Sequence, residues 1–68
     1  MDEVVNNMHH LIIQISENRL GTTLTNKMVY DIKLFQGYIG LEFIIDTVKT
    51  IDIEELNSYL ENLRNGLN

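Results

Sequence analysis

The sequence contains no cysteine, no proline, no tryptophan and no alanine. Without cysteine there is neither a disulfide nor a thiolate metal site, which fits a reducing compartment. Without proline, and with glycine only at positions 21, 37, 40 and 66, little interrupts long regular elements. Without alanine, every aliphatic side chain is medium or large and demands real burial. The chain is 44% hydrophobic over only 68 residues. A domain of about that size hides only ~60% of the surface its unfolded chain exposes, so it is marginal unless reinforced. With disulfides and thiolate metal sites excluded, oligomerisation is the common route left.

Positive charge is also scarce. Five Lys and Arg stand against ten Asp and Glu, for a net charge of -5. That balance repels phosphate backbones and anionic headgroups, and Arg19, Lys27, Lys33, Lys49 and Arg64 are scattered along the chain rather than clustered. Direct nucleic-acid or membrane binding is not expected. No apolar run approaches the ~20 residues that cross a bilayer, and Asp2 and Glu3 replace the cationic start of a signal peptide. The expected location is cytoplasmic.

What is present is helical periodicity. From Asp2 to about Arg19, Val4, Val5, Met8, Leu11, Ile12 and Ile15 share one arc, with Asn6, Asn7, Gln14, Glu17 and Asn18 opposite and Ile13 alone pointing away. Gly21 is placed to end this helix, and Thr25 to cap the next, with Leu24 and Val29 as its hydrophobic staple. Asp52 with Glu55 reads as a capping box, flanked by Ile51 and Leu56 as staple. Beyond it Ile53, Leu56, Leu60, Leu63 and Leu67 follow three-four spacing until Asn65 and Gly66. The short link after Val48 predicts that this last helix folds back antiparallel to the one before it.

The middle segment is the most informative. Read as one helix, Met28, Ile32, Phe35, Ile39 and Phe43 line one face, and Tyr30, Leu34, Tyr38, Leu41, Ile45 and Val48 line the reverse. One partner layer cannot cover both faces. A β-hairpin turning at Gln36-Gly37 competes with this reading, but Gln is a poor first residue for a tight turn and Phe35, Ile39 and Ile44 break the strand alternation. The helix carries its own cost, since Gly37 and Gly40 inside it lose about 1 kcal/mol each relative to Ala.

Chemistry is thin. His9 and His10 are adjacent, so on a helix they point about 100° apart and cannot easily grip one metal; they read as a solvated face. Of the close carboxylates, Glu54 and Glu55 are explained by capping, and Glu42 with Asp46 by pairing to Lys49. Ser16 and Ser58 lack a nearby His in sequence, and no glycine-rich phosphate loop precedes a helix. No enzyme activity, cofactor, metal or small-molecule substrate is expected.

The expected fold is therefore all-α. It is a small three-helix bundle, or a helical hairpin with an N-terminal helix, in one domain 1–68 with helices at about 2–19, 25–49 and 53–65. The second stripe, Tyr30, Leu34, Tyr38, Leu41, Ile45 and Val48, is the expected protein interface, with two tyrosines of the kind enriched at such surfaces. The expected function is a small acidic interaction module, a homodimer that acts as regulator or inhibitor by binding another protein. The alternatives are a monomeric scaffold or adaptor, and an acidic mimic of nucleic acid that blocks a DNA-binding protein through Glu42, Asp46, Asp52, Glu54, Glu55 and Glu61. Size and missing chemistry suit an accessory protein of a phage or plasmid.

Overall fold

A computed structural model describes residues 2–67, and all regular structure within them is helical. Residues 1 and 68, the ends of the unit read from the sequence, lie outside the described residues. Helix α1 spans Glu3–Leu20, α2 Asn26–Leu34, α3 Tyr38–Thr50 and α4 Ile53–Glu61, followed by a 3-10 segment, Leu63–Leu67.

The first boundaries follow local rules. Asp2 caps α1, its Oδ1 accepting from the N–H groups of Val4 (2.9 Å) and Val5 (3.2 Å). Gly21 ends it at φ 72°, a left-handed conformation that glycine adopts without steric cost. Thr25 Oγ1 accepts from the Met28 N–H at 3.2 Å to start α2, and Leu24 beside it is buried.

The single helix expected over 25–49 is two helices. Phe35 (φ -81°, ψ 125°) and Gly37 (φ -87°, ψ 138°) are extended, so the chain leaves the helical path for Phe35, Gln36 and Gly37 and re-enters at Tyr38. Phase explains the break. Ile32 and Leu41 are nine residues apart, and at about 100° per residue an unbroken helix would set them on opposite sides. The interruption lets both turn inward, and each is fully buried. Two of the carbonyls freed by the break find side-chain donors: Gln36 Nε2 donates to the Lys33 carbonyl at 2.8 Å, and His9 Nε2 donates from α1 to the Phe35 carbonyl at 2.6 Å. Gly37 leaves the helix interior, where it is costly, for the N-cap, where it is tolerated.

Helix α1 is the hub. It packs most extensively on α3 and also touches α2 and α4. Its inward stripe is Val5, His9, Ile12 and Ser16, which meets a core built from Met28, Ile32, Leu41, Val48, Leu56 and Leu60 among others. Ile13, which the helical projection turns outward, is half-buried against that core. Arg19 ties the hub to the turn after α3, its Nη1 donating to the Val48 carbonyl at 3.0 Å and to the Ile51 carbonyl. A cation there also suits the negative end of α3.

Two further expectations change. Asp52 does stand at the N-cap of α4, but its side chain makes no capping bond, so no capping box forms. The turn is closed by backbone, with the Glu55 N–H on the Asp52 carbonyl at 2.9 Å. Helix α4 then stops at Glu61 instead of 65. Asn62 folds its side chain back onto the Ser58 carbonyl at 2.8 Å, a local bond that competes with helix continuation, and the tighter 3-10 segment follows. Both α3 and α4 pack on α1 more than on each other, and Tyr59 of α4 reaches across to hydrogen-bond Thr47 of α3.

Candidate functional site

The divergence of α3 from α4 leaves an open groove of about 750 Å³ between α3 and the α4 to 3-10 arm. Its α3 lip is Ile39 and Phe43, one helical turn apart and 85% and 68% exposed. Its floor is apolar, with Phe35, Ile44, Ile51 and Leu63. The opposite wall is the outer row of α4, where Tyr59 is half-buried and Glu54 and Glu55 are exposed. No lysine or arginine lines it.

Phe35 sits at the head of this groove because of the break. Its ring faces both Gly40 and Gly66, each of which would bring a Cβ to an ordinary 3.9 Å contact with it. Its carbonyl is the one held by His9. The device that sets the phase of the two middle helices therefore also positions the groove floor.

Outward apolar residues of this size are costly to leave wet. Full burial of an Ile or Phe side chain stabilises by about 1.5–3 kcal/mol, so covering the remaining exposure of Ile39 and Phe43 is worth roughly 2–5 kcal/mol. A partner that buried this lip would gain that much before any polar contact.

The six residues expected to form the interface divide between core and surface. Leu41, Ile45 and Val48 are core residues, whereas Tyr30, Leu34 and Tyr38 are 59%, 37% and 50% exposed. The expected stripe is thus not one surface, because Leu41, Ile45 and Val48 of α3 turn inward while Tyr38 at its start stays out. The exchanged partners, Ile39 and Phe43, belong to the face that before the break is buried as Met28 and Ile32. They were legible as a stripe, but nothing in the sequence said which half of each stripe faces water.

His9, His10, Glu42 and Asp46 lie outside the groove lining. His10 is exposed, while His9 is buried, contrary to a solvated reading of the pair. Glu42 and Asp46 are exposed, and among the described residues the side-chain ion pairs converge instead on Asp31. That carboxylate, fully buried on α2, accepts from Lys27 Nζ at 2.8 Å and from Arg64 at 3.0 and 3.2 Å. Lys27, with Arg64 behind it, holds Asp31 below the usual carboxylate range in spite of burial. Arg64 also lies over the Tyr30 ring, 5.8 Å from its centroid. Tyr38 donates its hydroxyl to Asp2 Oδ2 at 2.6 Å, which pulls Asp2 down and pushes the Tyr38 phenol up. Among the described residues no group of three or more His, Asp or Glu is placed to hold a metal, and no helix is long and apolar enough to cross a membrane.

Comparison with known protein families, with characterised proteins and with solved structures finds no match to this chain.

Proposed function

We propose that this chain is a small helical interaction module that regulates or inhibits another protein by docking it in the groove between α3 and α4. The observation that carries the reading is the pair Ile39 and Phe43, two large apolar side chains left outside on adjacent turns and opening onto an apolar floor. Exposed apolar residues are ordinary when scattered, but a contiguous set around a concavity marks an association surface.

The homodimer read from the two-faced middle rod is not the form we favour. Of its stripe, only Tyr30, Leu34 and Tyr38 remain outside, and the two tyrosines already have intramolecular engagements, with Arg64 and with Asp2. We propose a monomer that binds a different protein. The acidic-mimic alternative draws no support from the groove, whose lining is mainly apolar.

A photoreactive phenylalanine analogue at position 43 tests the reading in the source cell. The expected result is one discrete cross-linked partner at position 43 and none from position 10, on the exposed face of α1. Equal trapping at both positions, or none at 43, would refute it.

A further inference from the structure

Resting on the docking reading above, we infer that the occupant of the groove is a cationic amphipathic helix from another protein, and not a second copy of this chain. Charge complementarity carries the inference. The groove is apolar along its floor, and among the described residues its charged lining members are Glu54 and Glu55, with no Lys or Arg. An incoming helix with an apolar stripe would cover Ile39 and Phe43, while Lys or Arg flanking that stripe would meet the two carboxylates. A second copy would instead bring a net charge of -5 against -5 and a groove whose described lining offers no Lys or Arg to meet Glu54 and Glu55.

The size of the groove fits the same occupant. From Ile39 to Ile51 the α3 side runs about 18 Å at 1.5 Å per residue, which matches about three turns of a partner helix. Glu54 and Glu55 open the first turn of α4, so cationic residues of the partner meet them at one end of the groove and set its direction. The docked helix would be read as apolar anchors at three-four spacing with Lys or Arg concentrated toward that end.

The probe is a synthetic peptide of about 14 residues, with Leu on one helical face and Lys on the other, titrated into the full chain by fluorescence anisotropy and mapped by amide NMR shifts. A Leu and Glu peptide of the same pattern is the control. The Lys peptide is expected to bind at least tenfold tighter than the Glu peptide, with shifts at Ile39, Phe43 and Tyr59. Binding should weaken as salt rises from about 0.1 M to about 1 M and the screening length shrinks from ~10 Å to ~3 Å. E54Q/E55Q should weaken it about two- to thirtyfold, the range that two exposed ion pairs supply. Phe43→Ser should weaken it at least fivefold.

Equal affinity for the two peptides overturns the inference. So does binding indifferent to Phe43→Ser, which would mean simple ion exchange on an acidic protein, and so does a dimer in sedimentation equilibrium whose interface protects Ile39 and Phe43. A partner trapped at position 43 together with failure of the Lys peptide would leave the docking reading standing and remove only its cationic chemistry. Failure of both would remove the two together.

Discussion

Replacing His9 with Leu removes the donor that satisfies the Phe35 carbonyl while keeping a side chain of similar volume in the core. Two costs and one gain follow. The hydrogen bond itself is worth about 0.5–1.5 kcal/mol net, and an acceptor left partly buried without a donor raises the loss toward about 1–3 kcal/mol. The α2–α3 break, which exists to bring Ile32 and Leu41 to the same core, loses its tie to α1. Leu adds apolar contact where imidazole had been, which offsets part of this. The net expectation is a loss of about 1–3 kcal/mol, and in a domain of this size each kcal/mol moves Tm by about 4–8 °C. Urea unfolding followed by far-UV circular dichroism gives the magnitude, and amide exchange at Phe35, Gln36, Gly37 and Tyr38 gives the location, since local opening there should become faster. His9→Gln, which retains an N–H donor, should recover part of the loss. If His9→Leu matches the parent within about 0.5 kcal/mol and exchange at the junction is unchanged, the imidazole does not hold the break and the account of the middle helices fails.

Other substitutions read different parts of the molecule. Ser16 is fully buried on α1 and its Oγ has no hydrogen-bond partner among the described residues, so Ser16→Ala removes a desolvated hydroxyl and improves helix propensity; thermal unfolding should show a gain of about 1 kcal/mol or more. Gly21→Ala forces an L side chain into φ 72° and should cost about 1 kcal/mol in the same assay. The depressed pKa of Asp31 contributes stability that is present above the unfolded carboxylate value near 3.9 and is lost as pH falls through the lower folded value, so acid unfolding should be shallower in Asp31→Asn, with Asp2 supplying a remaining slope of the same sign. Ile39→Ser and Phe43→Ser should leave stability within about 0.5 kcal/mol of the parent, whereas Ile32→Ala should cost about 2–5 kcal/mol.

The end of α1 and the start of α2 were legible almost to the residue, because Gly21 and Thr25 act on their immediate neighbours through short-range effects that spacing reveals, whereas Asp2, read as part of the helix, is its cap. The capping box at Asp52 and Glu55 had an equally clear signature and did not form, and Asn62 stopped α4 early through a bond to its own preceding turn. Those differences are local competitions between bonds of similar strength, which a pattern cannot rank. The break at residues 35–37 is of another kind. Its bonds come from Gln36 nearby but also from His9, 26 residues away, and a donor that arrives through tertiary packing leaves no trace in the periodicity of the segment it stabilises.

The apolar excess that reads as a rod greasy front and back still has to be explained once the rod is two helices. Before the break the first stripe goes inside as Met28 and Ile32; after it the second stripe goes inside as Leu41, Ile45 and Val48. That exchange satisfies the core with residues from both stripes, so folding places no demand on the discarded halves. On α2 the discarded half is Tyr30 and Leu34, with Tyr30 engaged by the Arg64 that anchors Asp31. On α3 it is Ile39 and Phe43, with no core on one side and an open apolar groove on the other. Large apolar side chains there lower solubility and contribute little to stability, and polar residues would serve a purely structural helix better. Their presence is what supports the proposal that a partner covers this edge of α3, and Glu54 and Glu55 at one end of the facing wall are what support a cationic partner.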